Sequence, residues 1–184
     1  ICVQLPELCD EKSEAFKAGY KTIAEIGKER IRRVINKINE EESGKLGFDD
    51  KKQDLGFKVF KLTESNFRQW RTDIKTGDEL IKQMDMFKDP LREGSADLDV
   101  VYELILKSGK DLNSSIEHKN GAYIINAGEM AVLTEKCDKK TIDALVKFKP
   151  AKVIALDRIF KDNDQLKTNT ALQMKDAGIE FKAV

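Results

Sequence analysis

The chain has 184 residues, 40% apolar and 36% charged, with 33 basic side chains balanced by 33 acidic ones. That length accommodates one domain, or two small ones, with a real core, and the balanced charge excludes bulk electrostatics as a driver of nucleic-acid or membrane binding. No apolar run approaches the roughly 18–20 residues of a membrane-spanning helix, and three cysteines without a CxxC pair (Cys2, Cys9, Cys137) fit the reduced thiols of a cytoplasmic protein better than a disulfide framework.

Residues 1–5, ICVQL, form a short apolar run closed by Pro6 and Glu7, and read as a core strand of a parallel sheet. Behind Asp10 and Ser13 as candidate caps, Ala15, Phe16, Tyr20, Ile23, Gly27, Ile31, Val34, Ile35 and Ile38 recur at spacings of three and four. That stripe predicts one long amphipathic helix from Glu14 to Glu41, with Gly19 and Gly27 permitting close approach to a neighbour. Residues 40–56 are rich in charge and glycine and read as a loop. Residues 56–62, GFKVFKL, alternate apolar side chains with lysines as a second strand, so that 1–62 form a β-α-β unit.

Past Trp70, helical patterns cover Asp78–Met86 and Leu98–Lys107, the second ending at Gly109 as a C′ residue. Met84, Met86 and Phe87 read as packing, and residues 110–121 as polar connection. The last third predicts a hairpin turning at 126–129, a helix capped by Asp138, a buried strand KVIALD, a helix stopped by Gly178 and a closing strand IEFKAV. The fold class is therefore α/β: a partial Rossmann-like β-α-β unit over residues 1–72, then a small α/β domain with a mixed sheet over 73–184.

Ligands of α/β sheets bind beyond the C-terminal ends of parallel strands. Glu7 stands where an acidic residue grips the vicinal hydroxyls of a ribose, and Pro6 offers a flat apolar edge for a base, although a carboxylate there also serves as a helix-dipole partner or plain surface. No GxGxxG, FxGxG or Walker motif occurs in the chain. If Glu7 closes the second strand of such a fold, the first strand and its glycine loop lie upstream of Ile1. Lys28, Arg30, Arg32, Arg33 and Lys37 make a basic helical segment able to meet DNA phosphates, and equally a solvated face balanced by Glu25, Glu29 and Glu40–Glu42; the second reading is preferred. Asp157, Asp162 and Asp164 follow a buried strand where magnesium sites occur, but read more naturally as capping and solvation. The lone His118 joins no Ser-His-Asp or Cys-His set, and no zinc spacing is present.

VQLPE, DEKSEAFKAGYKTIAEIGKERIRRV and GFKVFKLTESNFRQW, with the tail KPAKVIALDRIFKDNDQLKTNTALQMKDAGIEFKAV, together resemble the C-terminal part of the modification (DNA methyltransferase) subunit of type III restriction–modification systems. These are adenine-N6 enzymes of the β class that use S-adenosylmethionine. The resemblance implies that the catalytic DPPY motif, the target-recognition domain and the FxGSGTT-like cofactor loop lie earlier, so this chain carries no catalytic residue and is inactive alone. It implies that Glu7, with Pro6, meets the cofactor ribose, and that Ser65 and Asn66 lie where the cofactor adenine is contacted. Lys28, Arg32 and Arg33 remain the candidates for DNA. The implied partners are DNA, the restriction subunit and another copy of the chain, with residues 73–184 as the assembly module. The alternative is a stand-alone interaction or nucleotide-binding α/β domain.

Overall fold

The computed structural model describes residues 1–43, 54–87 and 89–184, so most of the loop expected over 40–56 lies outside the described residues. The chain divides into two compact units, Ile1–Phe60 and Lys61–Val184.

The second unit is built on a five-stranded sheet in the order β1-β2-β3-β4-β5. Its strands are β1 (Ile116–Lys119), β2 (Ala122–Ile125), β3 (Met130–Leu133), β4 (Lys152–Ala155) and β5 (Glu180–Ala183). β2 runs antiparallel to its neighbours β1 and β3, and β3, β4 and β5 run parallel. The expected α/β class with a mixed sheet stands.

Alternation along the central strands sorts the core into two layers. Ala122, Ile124, Ala131, Leu133, Val153 and Ala155 face a helix layer supplying Ile142, Leu145 and Met174. These come from α5 (Lys139–Phe148) and α6 (Asp164–Asp176). On the other face, Ile125, Met130, Val132, Ile154 and Leu156 meet Val100, Val101, Leu104 and Ile105 of α4 (Asp97–Lys107). Asp138 caps α5 by accepting from Thr141 N at 2.8 Å, as expected, while Gly109 and Gly178 take positive φ just past α4 and α6.

β1 departs from the polar connection read over 110–121. Asn120 and Gly121 both have positive φ and form the two-residue link of a β1–β2 hairpin in which Lys119 pairs with Ala122. Asn-Gly is the strongest short hairpin signal; three charged or polar residues in four hid the strand, because an edge strand needs only one apolar contact, here Ile116.

The first unit differs more. The expected single helix is two: α1 (Glu14–Lys17) and α2 (Ile23–Ser43). Gly19, at φ 95°, ends the first turn, with Gly19 N donating to Phe16 O and Tyr20 N to Ala15 O. Its role is the left-handed turn rather than close approach, since nothing lies within 4 Å of where a Cβ would be. Thr22 and Glu25 then restart the helix as a capping box, Thr22 Oγ1 accepting from Glu25 N while the Glu25 carboxylate accepts from Lys21 N at 2.7 Å and Thr22 N at 3.3 Å. Neither Ile1–Leu5 nor Gly56–Leu62 forms a strand. A strand must pair its backbone groups with a neighbour, and in this unit the only bridge joins Leu8 to Thr22 among the described residues. No described residue of the first unit is buried.

These contrasts set a stability test by chemical denaturation. Leu133→Ala, at a fully buried site, should cost about 2–5 kcal/mol. Val34→Ala, at a half-exposed site of α2, should change stability by no more than about 0.5 kcal/mol.

Candidate functional site

In the first unit, the Glu7 backbone carbonyl accepts from Ile23 N at 3.0 Å, and Cys9 N donates to Lys21 O at 2.9 Å. Those bonds pin the residue at the entry to α2 and leave its side chain, like Pro6, exposed. Among the described residues the Glu7 carboxylate has no hydrogen bond or ion pair, so it keeps full capacity to accept from a ligand's hydroxyls.

The basic face of α2 is partly committed. Arg33 Nε lies 2.9 Å from Glu29 Oε1, and the Arg32 guanidinium sits 5.9 Å from the ring centre of Phe57. Lys28 acts electrostatically on Glu25, whose carboxyl is held below its usual range chiefly by the bond from Lys21 N. Tyr20, Ile26, Glu29, Arg30, Arg33, Val34 and Lys37 border an open apolar depression of about 410 Å³, whose rim sets the Glu29 carboxylate against Arg33.

Ser65 and Asn66 belong to the second unit and converge on a residue that the sequence reading did not single out, Glu103 of α4. Ser65 Oγ donates to Glu103 Oε1, Asn66 N and Nδ2 donate to Oε2 at 2.7 and 2.9 Å, and Lys107 Nζ lies 2.8 Å from Oε1. Lys107 also stands 4.3 Å above the Phe67 ring. The segment is fastened from its other side by a bridge between Phe67 and Leu91, with Arg92 N donating to Asn66 O at 2.8 Å. Residues 65–68, expected with the first region, are thus bonded into the second unit. Partial burial pushes the Glu103 carboxyl up, but the bonds from Lys107, Ser65 and Asn66 outweigh it and hold the group at about 2. The available signal was the i,i+4 Glu-Lys pair in Glu103–Lys107; its link to Ser65 and Asn66 spans 38 and 37 residues and needs the fold.

The third location is the end of the sheet where the parallel strands β3 and β4 finish. Asp97 Oδ2 accepts from Thr134 Oγ1 at 3.0 Å, and Arg158 Nη2 reaches Asp97 Oδ1 at 3.4 Å and Thr134 O at 3.3 Å. Burial, with Asp97 and Glu135 nearby, pushes the Tyr123 phenol up. Asp157 lies 2.6 Å from Lys167 Nζ. That close ion pair answers a carboxylate oxygen that is shielded from solvent and lies outside hydrogen-bond angles. Asp162 has a positive φ and Asp164 opens α6. Among the described residues no group of three or more His, Cys, Asp or Glu is arranged to hold a metal ion. Asp138 and Asn163 each accept one backbone N–H at the start of α5 and α6, from Thr141 and Leu166. This end of the sheet clamps α4 to β3 and β4. His118 lies on β1 with its ring 4.6 Å from that of Tyr123.

No helix among the described residues is long and apolar enough to cross a membrane. Comparison with known protein families and with curated proteins gives no match.

The Glu103 cluster makes a signed pH prediction. A carboxyl held at about 2 when folded, against an ordinary 4.5, adds stability that is complete above pH 4.5 and lost as pH falls toward 2. Glu103→Gln should remove on the order of 1–3 kcal/mol at pH 7. Thermal melts of the two proteins should converge between pH 4.5 and 2; a constant difference across that window would refute the assignment.

Proposed function

We propose that the chain is the C-terminal region of a type III DNA adenine-N6 methyltransferase, with its first unit forming the outer part of the S-adenosylmethionine-binding fold and its second unit an assembly domain. The observation that carries this reading is the absence of any buried residue among the described residues of Ile1–Phe60. Ile1, Val3, Leu5, Ile31, Val34, Phe57, Val59 and Phe60 are all exposed, yet they fall in two strand-like runs and along one helical stripe. That is the pattern of a layer made to lie on a sheet, and contiguous exposed apolar surface marks an interface. The sequence resemblance says which sheet: that of the methyltransferase fold.

In the complete enzyme the methyl group passes to N6 of an adenine extruded from the duplex. The motifs that perform this transfer are not in this chain. Its own contribution is binding. The unpaired Glu7 carboxylate accepts from the two ribose hydroxyls of S-adenosylmethionine, and Pro6 borders the base. Ser65 and Asn66, which the resemblance sets at the cofactor's adenine, are bonded to Glu103 inside the second unit. Lys28, Arg32 and the Glu29-paired Arg33 provide a weak phosphate-facing surface for DNA. The second unit, which carries its own core, joins the restriction subunit or a second modification subunit.

The test joins sequence and ligand. The coding DNA immediately upstream of Ile1 should encode a strand and an FxGxG-type loop, with DPPY further back. Expressed with that segment, the protein should bind S-adenosylmethionine, and Glu7→Gln should weaken binding about tenfold or more, the loss of a charge-assisted bond. This chain by itself should transfer no methyl group. A start codon adjoining Ile1, or cofactor binding indifferent to Glu7→Gln, would overturn the reading.

A further inference from the structure

The outer side of α3 (Gly77–Met86) balances carboxylates against neighbouring cations and so favours no occupant. The edges of the sheet are more selective, and they are not equivalent. At one edge β1 sets Glu117, His118 and Lys119 in solvent, with Glu117 and Lys119 already joined as an ion pair within the strand. At the other edge Glu180 N donates to Ala151 O at 3.2 Å and Val184 N to Ala155 O at 2.9 Å. Alternate residues of a strand turn both backbone groups to the same side. The N–H and C=O of Phe181 and Ala183 therefore point away from β4, where the sheet ends. An open edge of this kind is a template for another strand.

The side chains of β5 sort by face. Phe181, in register with Val153, stands edge-on to Phe160 with ring centres 6.3 Å apart, on the side covered by α6. Glu180 and Lys182 lie on the opposite face, both exposed. Lys152 of β4 holds Glu180 Oε1 at 2.7 Å. Lys182, beside Ile154 in register, makes no ion pair among the described residues.

We infer that β5 pairs antiparallel with β5 of a second copy across a two-fold axis at Phe181, continuing one sheet through both chains. In that register Phe181 and its mate exchange both backbone bonds and lie side by side on one face. On the other face Glu180 of each copy stands opposite Lys182 of the other. Lys152 occupies only Oε1 of Glu180, so the second oxygen accepts from the second copy's ammonium and each carboxylate lies between two lysines. A register centred on Lys182 would set ammonium against ammonium, so charge fixes the pairing. The order Glu-Phe-Lys is its own antiparallel complement, which a two-fold contact requires, whereas β5 meeting β1 of another copy would leave edges open and never close. β1 has the same order of charges, but its two are spent on each other. A four-residue edge gives a contact at the small end of interface sizes, so the association is reversible. The inference rests on the assembly role proposed for the second unit and names its occupant.

Sedimentation velocity at rising protein concentration should show a reversible dimer, and the Phe181 and Ala183 amides should gain protection from hydrogen exchange as it forms. Lys182→Glu and Glu180→Lys should each weaken self-association about tenfold or more, because like charges then face each other twice. Both side chains are exposed, so the fold tolerates either change. Mixed in equal amounts the two variants should associate, since each supplies the charge the other lacks at both pairs. Glu117→Lys, on β1, should change nothing. A monomer at every concentration, self-association indifferent to Lys182→Glu, or a mixture that stays apart would overturn the inference. Association lost with Val34→Asp instead would place the contact in the first unit and overturn it as well. The cofactor assay is independent: a monomer beside intact Glu7-dependent binding removes this pairing and leaves the parentage standing.

Discussion

A strand buried on both faces needs a helix on each, and β3 imposes that requirement on the second unit. Its four residues, Met130, Ala131, Val132 and Leu133, are all buried, two toward α4 and two toward α5 and α6. Ala131 and Leu133 are matched across β4 by Val153 and Ala155, and Val132 by Ile154, in parallel register. That one strand therefore fixes the order of layers and the spacing of the crossovers. It also fixes the position of Asp97, which opens α4 and is bonded to Thr134 immediately after β3. Glu103 follows two turns later on the same helix, and the anchorage of Ser65 and Asn66 follows from Glu103.

The first unit lacks any such strand. Its local instructions are nonetheless specific: a left-handed glycine turn at Gly19, a capping box at Thr22 and Glu25, and an exposed apolar stripe on α2. A helix with an exposed apolar face stands only with tertiary support, and the described residues of this unit bury none of that face fully. The same deficit is what the proposed parentage would explain, by setting this unit as a layer on the sheet of the methyltransferase fold. The second unit ties Asp97 to Thr134 and Glu103 to Ser65 and Asn66, and leaves Leu80, Ile81 and Met84 of the helix Gly77–Met86 exposed.

Much of the second unit was legible in its residues. Asp138 before a helical stripe, Gly109 and Gly178 after two others, and continuous apolar runs at β3 and β4 each state their role locally. β1 was missed because Ile116-Glu117-His118-Lys119 offers one apolar side chain, although Asn120-Gly121 announced the turn. Ile1–Leu5 and Gly56–Leu62 have the composition of strands, but pairing is a property of neighbours and composition does not supply them. Glu103 offered only its i,i+4 pair with Lys107, because Ser65 and Asn66 stand far away in sequence. The packing role read for Met84 and Met86 fails because Gln83 takes the inward side of the helix Gly77–Met86 and leaves both methionines exposed.

Amide hydrogen exchange across the whole chain addresses the central claim most directly, namely that the second unit carries a core of its own and the first does not. Amides of β3, β4 and α4 should exchange only through global unfolding, while those of α2 exchange orders of magnitude faster through local opening. Protection of α2 equal to that of β3 would mean that the first unit carries its own stabilising core, and would contradict the account.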